Sequence, residues 1–572
     1  SVEAWGGATY DTAYRFLKES PWKRLEILSE RMPNTLIQML LRASNTVAYS
    51  SYPDNLVKEF IRISAIKGVD VFRIFDSLNW MESMKMPVEE ALKTGKIVEG
   101  SLCYTGDITS PKEVKYTLDY YVKKAHELED MGVHILAIKD MAGLLKPYAA
   151  KLLVETLKSE LKIPVHLHTH DTSGNQVATY LMAAEAGVDI VDCAIDSMSS
   201  TTSQPSMNAV VASLNGQERD TGLDSGKLQK LSDYWADVRL RYASFEAGIK
   251  NPSTDIYRYE MPGGQYTNLK SQVESLGLGH QFEDVKEMYV QVNHMLGDIV
   301  KVTPSSKMVG DLAIFMVQNG LTPENIVARG EALTFPDSVV SYFKGMMGQP
   351  AWGFPEDLQK VVLKGEAPIT CRPGELLEPI DFEKAREEVR KFYPNADDHN
   401  VISWCLYPKV VEDFYRHRQA YGYIMRMGSH VFFNGMALGE TNKINIEDGK
   451  TLVIKYVGLG DLNEDGTRNV HFELNGMSRG VAVPDKNAEA TVRHVALADP
   501  ADKSQVGASI PGMVSKISVK PGDPVEENQV LAVIEAMKME TSVVARMKGT
   551  VDQVLIKEGG SVKAGELLIT IR

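Results

Sequence analysis

The sequence predicts a multidomain α/β protein: a (β/α)8 TIM barrel with a C-terminal helical extension, then a mixed α+β linking domain, then an all-β flattened barrel. Three observations carry this. Over residues 1–265 short apolar runs alternate with amphipathic helical stretches, the rhythm of βα units that pair their strands in parallel. Beyond residue 505 a pattern of short strands and glycine turns is written twice. A length of 572 residues, 44% hydrophobic and 24% charged, is ordinary globular composition with room for about three to four domains. Domains are therefore expected at 1–410 (barrel and helical extension), 411–484 (linking), 485–504 (linker) and 505–572 (flattened barrel).

The barrel strands are expected at Thr35–Leu41, Val69–Phe75, Ile97–Tyr104, Val133–Lys139, Val165–His170, Val188–Ile195 and a short run at Tyr259–Met261. Seven strands are one short of a closed barrel. Because the chain opens on the loop-like Trp5-Gly-Gly-Ala-Thr9, the missing strand is expected before Ser1. Polar residues gather at the C-terminal strand ends, where barrels of this kind carry their chemistry: Arg42, Arg73 to Asn79 with Asp76 between, Lys139-Asp140, and His166-Leu-His168-Thr-His170-Asp171. His168 and His170 lie two apart on one strand, so both imidazoles face the barrel mouth. An isolated pair of this kind is more often hydrogen-bonded core. Lys139 and Asp171 at strand ends tip this one towards a divalent ion such as Zn2+ or Mn2+. His166 shares the parity but lies deeper, where packing is expected.

The linker 485–504 is rich in Ala, Asp and Lys without a periodic apolar face, as expected of a mobile tether. In the last domain Gly512 recurs as Gly549, 37 positions on, and Val514, Ile517, Val519, Val525, Leu531 and Val533 recur as Val551, Val554, Ile556, Val562, Leu568 and Thr570. Two such halves make a flattened β-barrel about a pseudo-dyad. The turn joining them presents Lys538, within Glu535-Ala-Met-Lys-Met-Glu540, as an amine on a stiff hairpin tip. That placement suits a lysine that carries a covalent cofactor.

Composition narrows the function classes. A net charge of −14 without a basic run disfavours a nucleic-acid partner. No stretch reaches the length of a membrane span and no signal-peptide pattern opens the chain. Cys103, Cys193, Cys371 and Cys405 are scattered without a CxxC pair, as in reduced packing residues of a cytoplasmic protein.

The Lys538 segment resembles a biotinyl carrier domain, whose Met-Lys-Met tripeptide takes biotin; lipoyl domains share the fold but have acidic and small residues beside their lysine. A second resemblance covers nearly the whole chain. Trp5-Gly-Gly-Ala-Thr9, Met39-Leu-Leu-Arg42, Tyr52-Pro-Asp54-Asn55, Phe72-Arg-Ile-Phe-Asp-Ser-Leu-Asn79, Ile138-Lys-Asp-Met-Ala-Gly143, His168-Thr-His-Asp-Thr-Ser-Gly174, Gln204-Pro-Ser206, Pro262-Gly-Gly-Gln-Tyr266 and Val302-Thr-Pro-Ser-Ser-Lys307 are similar to the carboxyltransferase part of the pyruvate carboxylase family. Residues 411–484, with Asp461-Leu-Asn463 and Phe472-Glu-Leu-Asn-Gly476, resemble that family's linking and tetramerisation domain. Biotin-dependent decarboxylases and transcarboxylases share the barrel, and the middle segment favours the carboxylase.

This resemblance implies an activity and a set of roles. The activity is transfer of CO2 from carboxybiotin on Lys538 to pyruvate, giving oxaloacetate for anaplerosis and gluconeogenesis. Lys139, in carbamylated form, would ligate the ion with His168 and His170. The family's further aspartate ligand and its pyruvate-contacting glutamine belong to an Asp-Thr-Thr-x-Arg-Asp-Ala-His-Gln motif that this sequence lacks. Arg42 would face the pyruvate carbonyl and carboxylate, with Tyr49 and Asp11 beside substrate and biotin. Thr303 would shuttle a proton between pyruvate and biotin, and Ser306 and Lys307 would hold the biotin ring. Thr303-Pro304 also reads as a helix start, Thr capping and Pro in the first turn. The implied partners are biotin protein ligase and further copies in a homotetramer. ATP and bicarbonate would be used by a separate biotin carboxylase domain. The other readings are a decarboxylase or transcarboxylase subunit, and a passive carrier and assembly piece.

Overall fold

The structure, a computed structural model, describes residues 1–246, 248–330, 333–447, 449–463, 466–486, 496–499, 501–536 and 539–572. Two compact units divide the chain, the larger built on a parallel sheet and the smaller on antiparallel ones. The sheet of the larger unit has seven strands in chain order: β1 (Val2–Gly6), β2 (Ile37–Leu41), β3 (Val71–Phe75), β4 (Ile97–Cys103), β5 (Ile135–Asp140), β6 (Val165–Thr169) and β7 (Ile190–Val191). Strands and helices alternate, and β2 to β6 are buried almost throughout, as strands covered on both faces must be. Among the described residues β1 and β7 do not pair with each other, so the barrel is not closed.

Two strand expectations are corrected. The opening residues are a strand, not a loop: a register shift between Glu3 and Trp5 breaks the two-residue period that would have revealed it. Glu3 consequently reaches Arg73, whereas Trp5 donates its indole N–H to Pro21 O at 2.8 Å and packs against Tyr10 and Trp22. Conversely, Tyr259–Met261 is not a strand, because Ile256–Tyr259 forms one helical turn ended by left-handed Glu260. A three-residue apolar run is too short for its periodicity to distinguish the two. The helices that follow, from Gly263–Ser275 to Glu356–Leu363, pack around Tyr289, Leu312, Ala313 and Tyr342 into one apolar core, the expected helical extension.

In the smaller unit β8 (Thr441–Glu447), β9 (Lys450–Leu462), β10 (Thr467–Leu474) and β11 (Met477–Pro484) form an antiparallel sheet, ordered β11-β10-β9-β8. Asn475 and Gly476, both at positive φ (49° and 82°), make the two-residue turn that closes β10 on β11. The C-terminal repeat becomes β12 (Gln505–Gly507), β13 (Gly512–Ile517), β14 (Pro524–Val525), β15 (Val530–Ala536), β16 (Met539–Val544), β17 (Gly549–Val554), β18 (Ser561–Val562) and β19 (Leu567–Ile571). The two sheets run β16-β15-β13-β18 and β12-β19-β17-β14, so each half lends its short strand to the other. Val514, Leu531, Val551 and Leu568, all fully buried, fill the space between them. Residues 496–498 also pair with this edge, Ala498 N–H donating to Gly565 O and Leu497 bridging Glu566. Lys538 and half of the expected linker lie outside the described residues. No helix among the described residues is long and apolar enough to cross a membrane, and the four cysteines are unbridged.

Candidate active site at the barrel mouth

Parallel barrels usually fill their interior with branched aliphatic residues. Here the lower layer is ionic. Arg73 on β3, fully buried, donates Nε to Glu99 on β4, and its Nη1 reaches Glu3 on β1 at 2.8 Å and Asp192, next after β7, at 2.5 Å. His166 on β6 places Nδ1 2.7 Å from Glu99 Oε2 and Nε2 3.0 Å from Asp192 Oδ1. His166 is thus not a packing residue: it sits in a charge network that the deeper parity alone does not reveal. Burial pushes its pKa down, but Asp192 and Glu99 outweigh that and hold it at about 9, so the ring is cationic at neutral pH. Burial likewise disfavours the Asp192 anion, and Arg73 and His166 more than reverse it. Buried charges are tolerated only with this degree of mutual pairing.

One layer up, Lys139 on β5 stands in register with His168 on β6. Lys139 Nζ lies over the Phe75 ring at 5.5 Å, and among the described residues it makes no hydrogen bond or ion pair. Burial, against the pull of Glu3, lowers its pKa and favours the free amine. The two imidazoles are neutral. Burial, reinforced by Lys139, takes His168 well below its ordinary value and His170 down to about 4. His168 Nδ1 faces Asp192 Oδ2 at 2.8 Å and His170 Nδ1 faces Thr202 O at 2.6 Å. Both acceptors demand the proton, so both Nε2 atoms carry lone pairs, and these face each other at 3.3 Å. Two lone pairs so close repel unless a cation lies between. A divalent ion at roughly 2.0–2.1 Å from each nitrogen would hold them roughly 3.0–3.4 Å apart, so the pair fits such an ion. Among the described residues no three His, Cys, Asp or Glu side chains gather as a metal site. The Thr202 carbonyl is presented by a loop with Ser200 and Thr201 at φ of 71° and 53°, costly for a β-branched residue.

The other expected residues fall into two groups. After β2, Arg42 is 7% exposed; its Nη1 donates to Val47 O (2.8 Å) and Ala48 O (3.1 Å), and its buried Nε has no partner among the described residues. Tyr49 lies against the guanidinium at 5.2 Å. Asp11, buried on the helix Gly7–Thr12, accepts from Arg15 Nε at 2.6 Å, just before a π-helical turn, Ala13–Leu17. Tyr407 belongs with these, since its hydroxyl donates to the same Val47 carbonyl at 2.8 Å and it lies within electrostatic reach of Asp11 and Arg42. The sequence carried no sign of it, because it comes from the far end of the helical extension. The second group opens the helix Ser305–Gln318. Thr303 is half-buried and does not cap that helix: Pro304 is the N-cap residue, and Ser305 Oγ instead accepts from Val302 N–H at 3.1 Å. This overturns the capping expectation and leaves the Thr303 hydroxyl without a hydrogen bond among the described residues. Ser306 is buried, and Lys307 pairs with Asp311 at 2.7 Å. Ser305 Oγ also reaches Ser77 O at 3.4 Å, tying this helix to the loop after β3. Asp76, Asp140 and Asp171 serve backbone turns there, Asp140 accepting from Leu144 and Leu145 N–H at 2.9 Å.

The chain is similar to known proteins over its whole length. Three family descriptions match: "HMGL-like" over residues 62–234, "Conserved carboxylase domain" over 256–455 and "Biotin-requiring enzyme" over 502–571. Pyruvate carboxylase of Bacillus subtilis is 51% identical over the whole chain, which covers 50% of that protein, and mouse mitochondrial pyruvate carboxylase is 44% identical, with 49% of it covered. The chain spans about half the length of these relatives. The carboxyl transferase domain of Rhizobium etli pyruvate carboxylase, solved with pyruvate and biocytin, is 48% identical with a TM-score of 0.82, covering 85% of this chain and 82% of that one. The complete multifunctional enzyme from Rhizobium etli is 46% identical with a TM-score of 0.82, covering 99% of this chain and 52% of that one.

Proposed function

The chain belongs to the pyruvate carboxylase family, and from that premise we infer that it performs the carboxyltransferase half-reaction, moving a carboxyl group from biotin on Lys538 to pyruvate to give oxaloacetate. The observation that carries this is the pair of neutral imidazoles, Nε2 to Nε2 at 3.3 Å, beside a desolvated lysine in register.

His168 and His170 would hold a divalent ion through Nε2. Lys139, as the free amine, would add CO2 at Nζ and release one proton, which turns a neutral amine into an anionic oxygen donor. When bound, the ion supplies positive charge beside the oxygen of the developing pyruvate enolate. Arg42 binds the pyruvate carboxylate and carbonyl through the donors its backbone anchors leave unused, in a water-poor pocket where such bonds are strongest. Thr303 accepts a methyl proton of pyruvate while handing its own to the biotin ring; its freedom from other hydrogen bonds supports this. Asp11, Tyr49, Ser306 and Lys307 orient the ring.

The domains run 1–410, 411–484, 485–504 and 505–572. Biotin protein ligase loads Lys538, ATP and bicarbonate are used by a separate biotin carboxylase domain, and the protein works in the cytoplasm, consistent with its unbridged cysteines. It assembles as a homotetramer, supported by the apolar ladder Leu459, Val470, Val481 across β9, β10 and β11, with Leu459 and Val481 exposed. The test is Lys538→Ala in the full chain. Oxaloacetate decarboxylation should vanish while the circular dichroism spectrum is kept; wild-type turnover in that variant would end this reading.

A further inference from the structure

We propose that Asp192 is a positioning residue of the ion site: its carboxylate holds the proton of His168 on Nδ1, which commits Nε2 to the ion, and the ionic layer beneath holds that carboxylate in place. The proposal rests on the metal reading above.

Both oxygens of Asp192 are engaged. Oδ2 accepts from His168 Nδ1 at 2.8 Å and from Arg73 Nη1 at 2.5 Å, and Oδ1 lies 3.0 Å from His166 Nε2. The two cations are themselves anchored from other strands, His166 by Glu99 at 2.7 Å and Arg73 by Glu99 and by Glu3 at 2.8 Å. Asp192 follows the two-residue β7; its backbone N–H donates to Leu167 O on β6 at 3.1 Å and its carbonyl accepts from the Tyr180 hydroxyl at 2.6 Å. Side-chain bonds from β3 and β6 then fix the carboxylate itself.

The consequence for His168 is direct. A neutral imidazole has one proton, and the nitrogen facing a carboxylate keeps it, leaving the far nitrogen as the ligand. A carboxylate behind a ligating histidine also raises the basicity of that far nitrogen, and its loss typically weakens metal binding roughly 10- to 100-fold. His170 differs, since its Nδ1 faces only a neutral carbonyl, Thr202 O. The two ligands are therefore unequal, and Asp192 governs one of them.

The test is titration of the chelator-stripped full chain with Mn2+, wild type beside Asp192→Asn, with melting curves of both metal-free proteins to show that each is folded. The amide occupies the same space without the charge. The apparent Kd should rise roughly 10- to 100-fold. Affinities within twofold of each other overturn the proposal, whereas a wild type that binds no Mn2+ overturns the ion site on which it rests. If Asp192→Asn does not fold, neutron diffraction of the wild type decides: a deuteron on His168 Nδ1 supports the assignment and one on Nε2 refutes it.

Discussion

At the scale of single residues, burial is what converts ordinary side chains into unusual ones. Asp76 follows β3, with Oδ1 accepting from the N–H groups of Leu78 (2.8 Å) and Trp80 (2.9 Å). Burial pushes its pKa from 3.8 up to about 6, more than those hydrogen bonds pull it down. A folded-state pKa above the unfolded one contributes stability that is full below about pH 3.8 and is lost as pH rises through about 6, amounting to about 3 kcal/mol at most. Asp76→Asn keeps the acceptor and removes the charge. Melting curves should therefore show the variant gaining on the wild type between about pH 4 and pH 7; a gap that does not change with pH would contradict this origin of the shift. Lys139 obeys the same physics with opposite sign, since burial there lowers the pKa of an amine, towards the free form that reaction with CO2 requires. Its residue type and strand-end position were legible in the sequence. Its loss of ion-pair partners was not.

Among elements, the clearest case of sequence becoming structure is the C-terminal repeat. Gly512 and Gly549 begin β13 and β17, where a Cβ would come within 2.6 Å of Glu535 O and Arg572 O respectively, themselves equivalent positions of the two halves. The glycines are therefore required by close backbone approach, not by turn geometry. Gly512→Ala should cost about 1–3 kcal/mol, from forced backbone displacement in a packed core, read as an earlier thermal or denaturant transition of the C-terminal barrel. An unchanged transition would mean that the two strands separate without penalty. The barrel strands show the reverse situation. Val2–Gly6 hid its period behind a one-residue shift, and Tyr259–Met261 imitated a strand for too few residues to be refuted by pattern.

For the whole molecule, the antiparallel sheet of the smaller unit exposes large apolar side chains. Leu459, Val470 and Val481 are cross-strand neighbours, and Leu459 and Val481 are 55% and 49% exposed. Contiguous apolar surface of this kind marks an interaction face. Leu459→Asp combined with Val481→Asp should lower the mass seen by light scattering, with the sheet still folded. A tetramer that persists would place assembly elsewhere. On the proposed reading the stakes are functional, because a carrier tethered to one subunit gains access to its acceptor through effective concentration.

The sequence by itself determined what is local or periodic: strand parity, which places His168 and His170 on one face; the location of chemistry at strand ends; and the repeat that frames Lys538. Only the tertiary structure decided which charges meet. Glu3, Arg73, Glu99, His166 and Asp192 come from five separate stretches of chain, and nothing in their spacing foretells that the curl of the sheet brings them together. Periodicity reports which way a side chain faces, but what it faces is settled by inter-strand register and by the cost of leaving a buried charge unpaired, and both act between residues far apart in sequence.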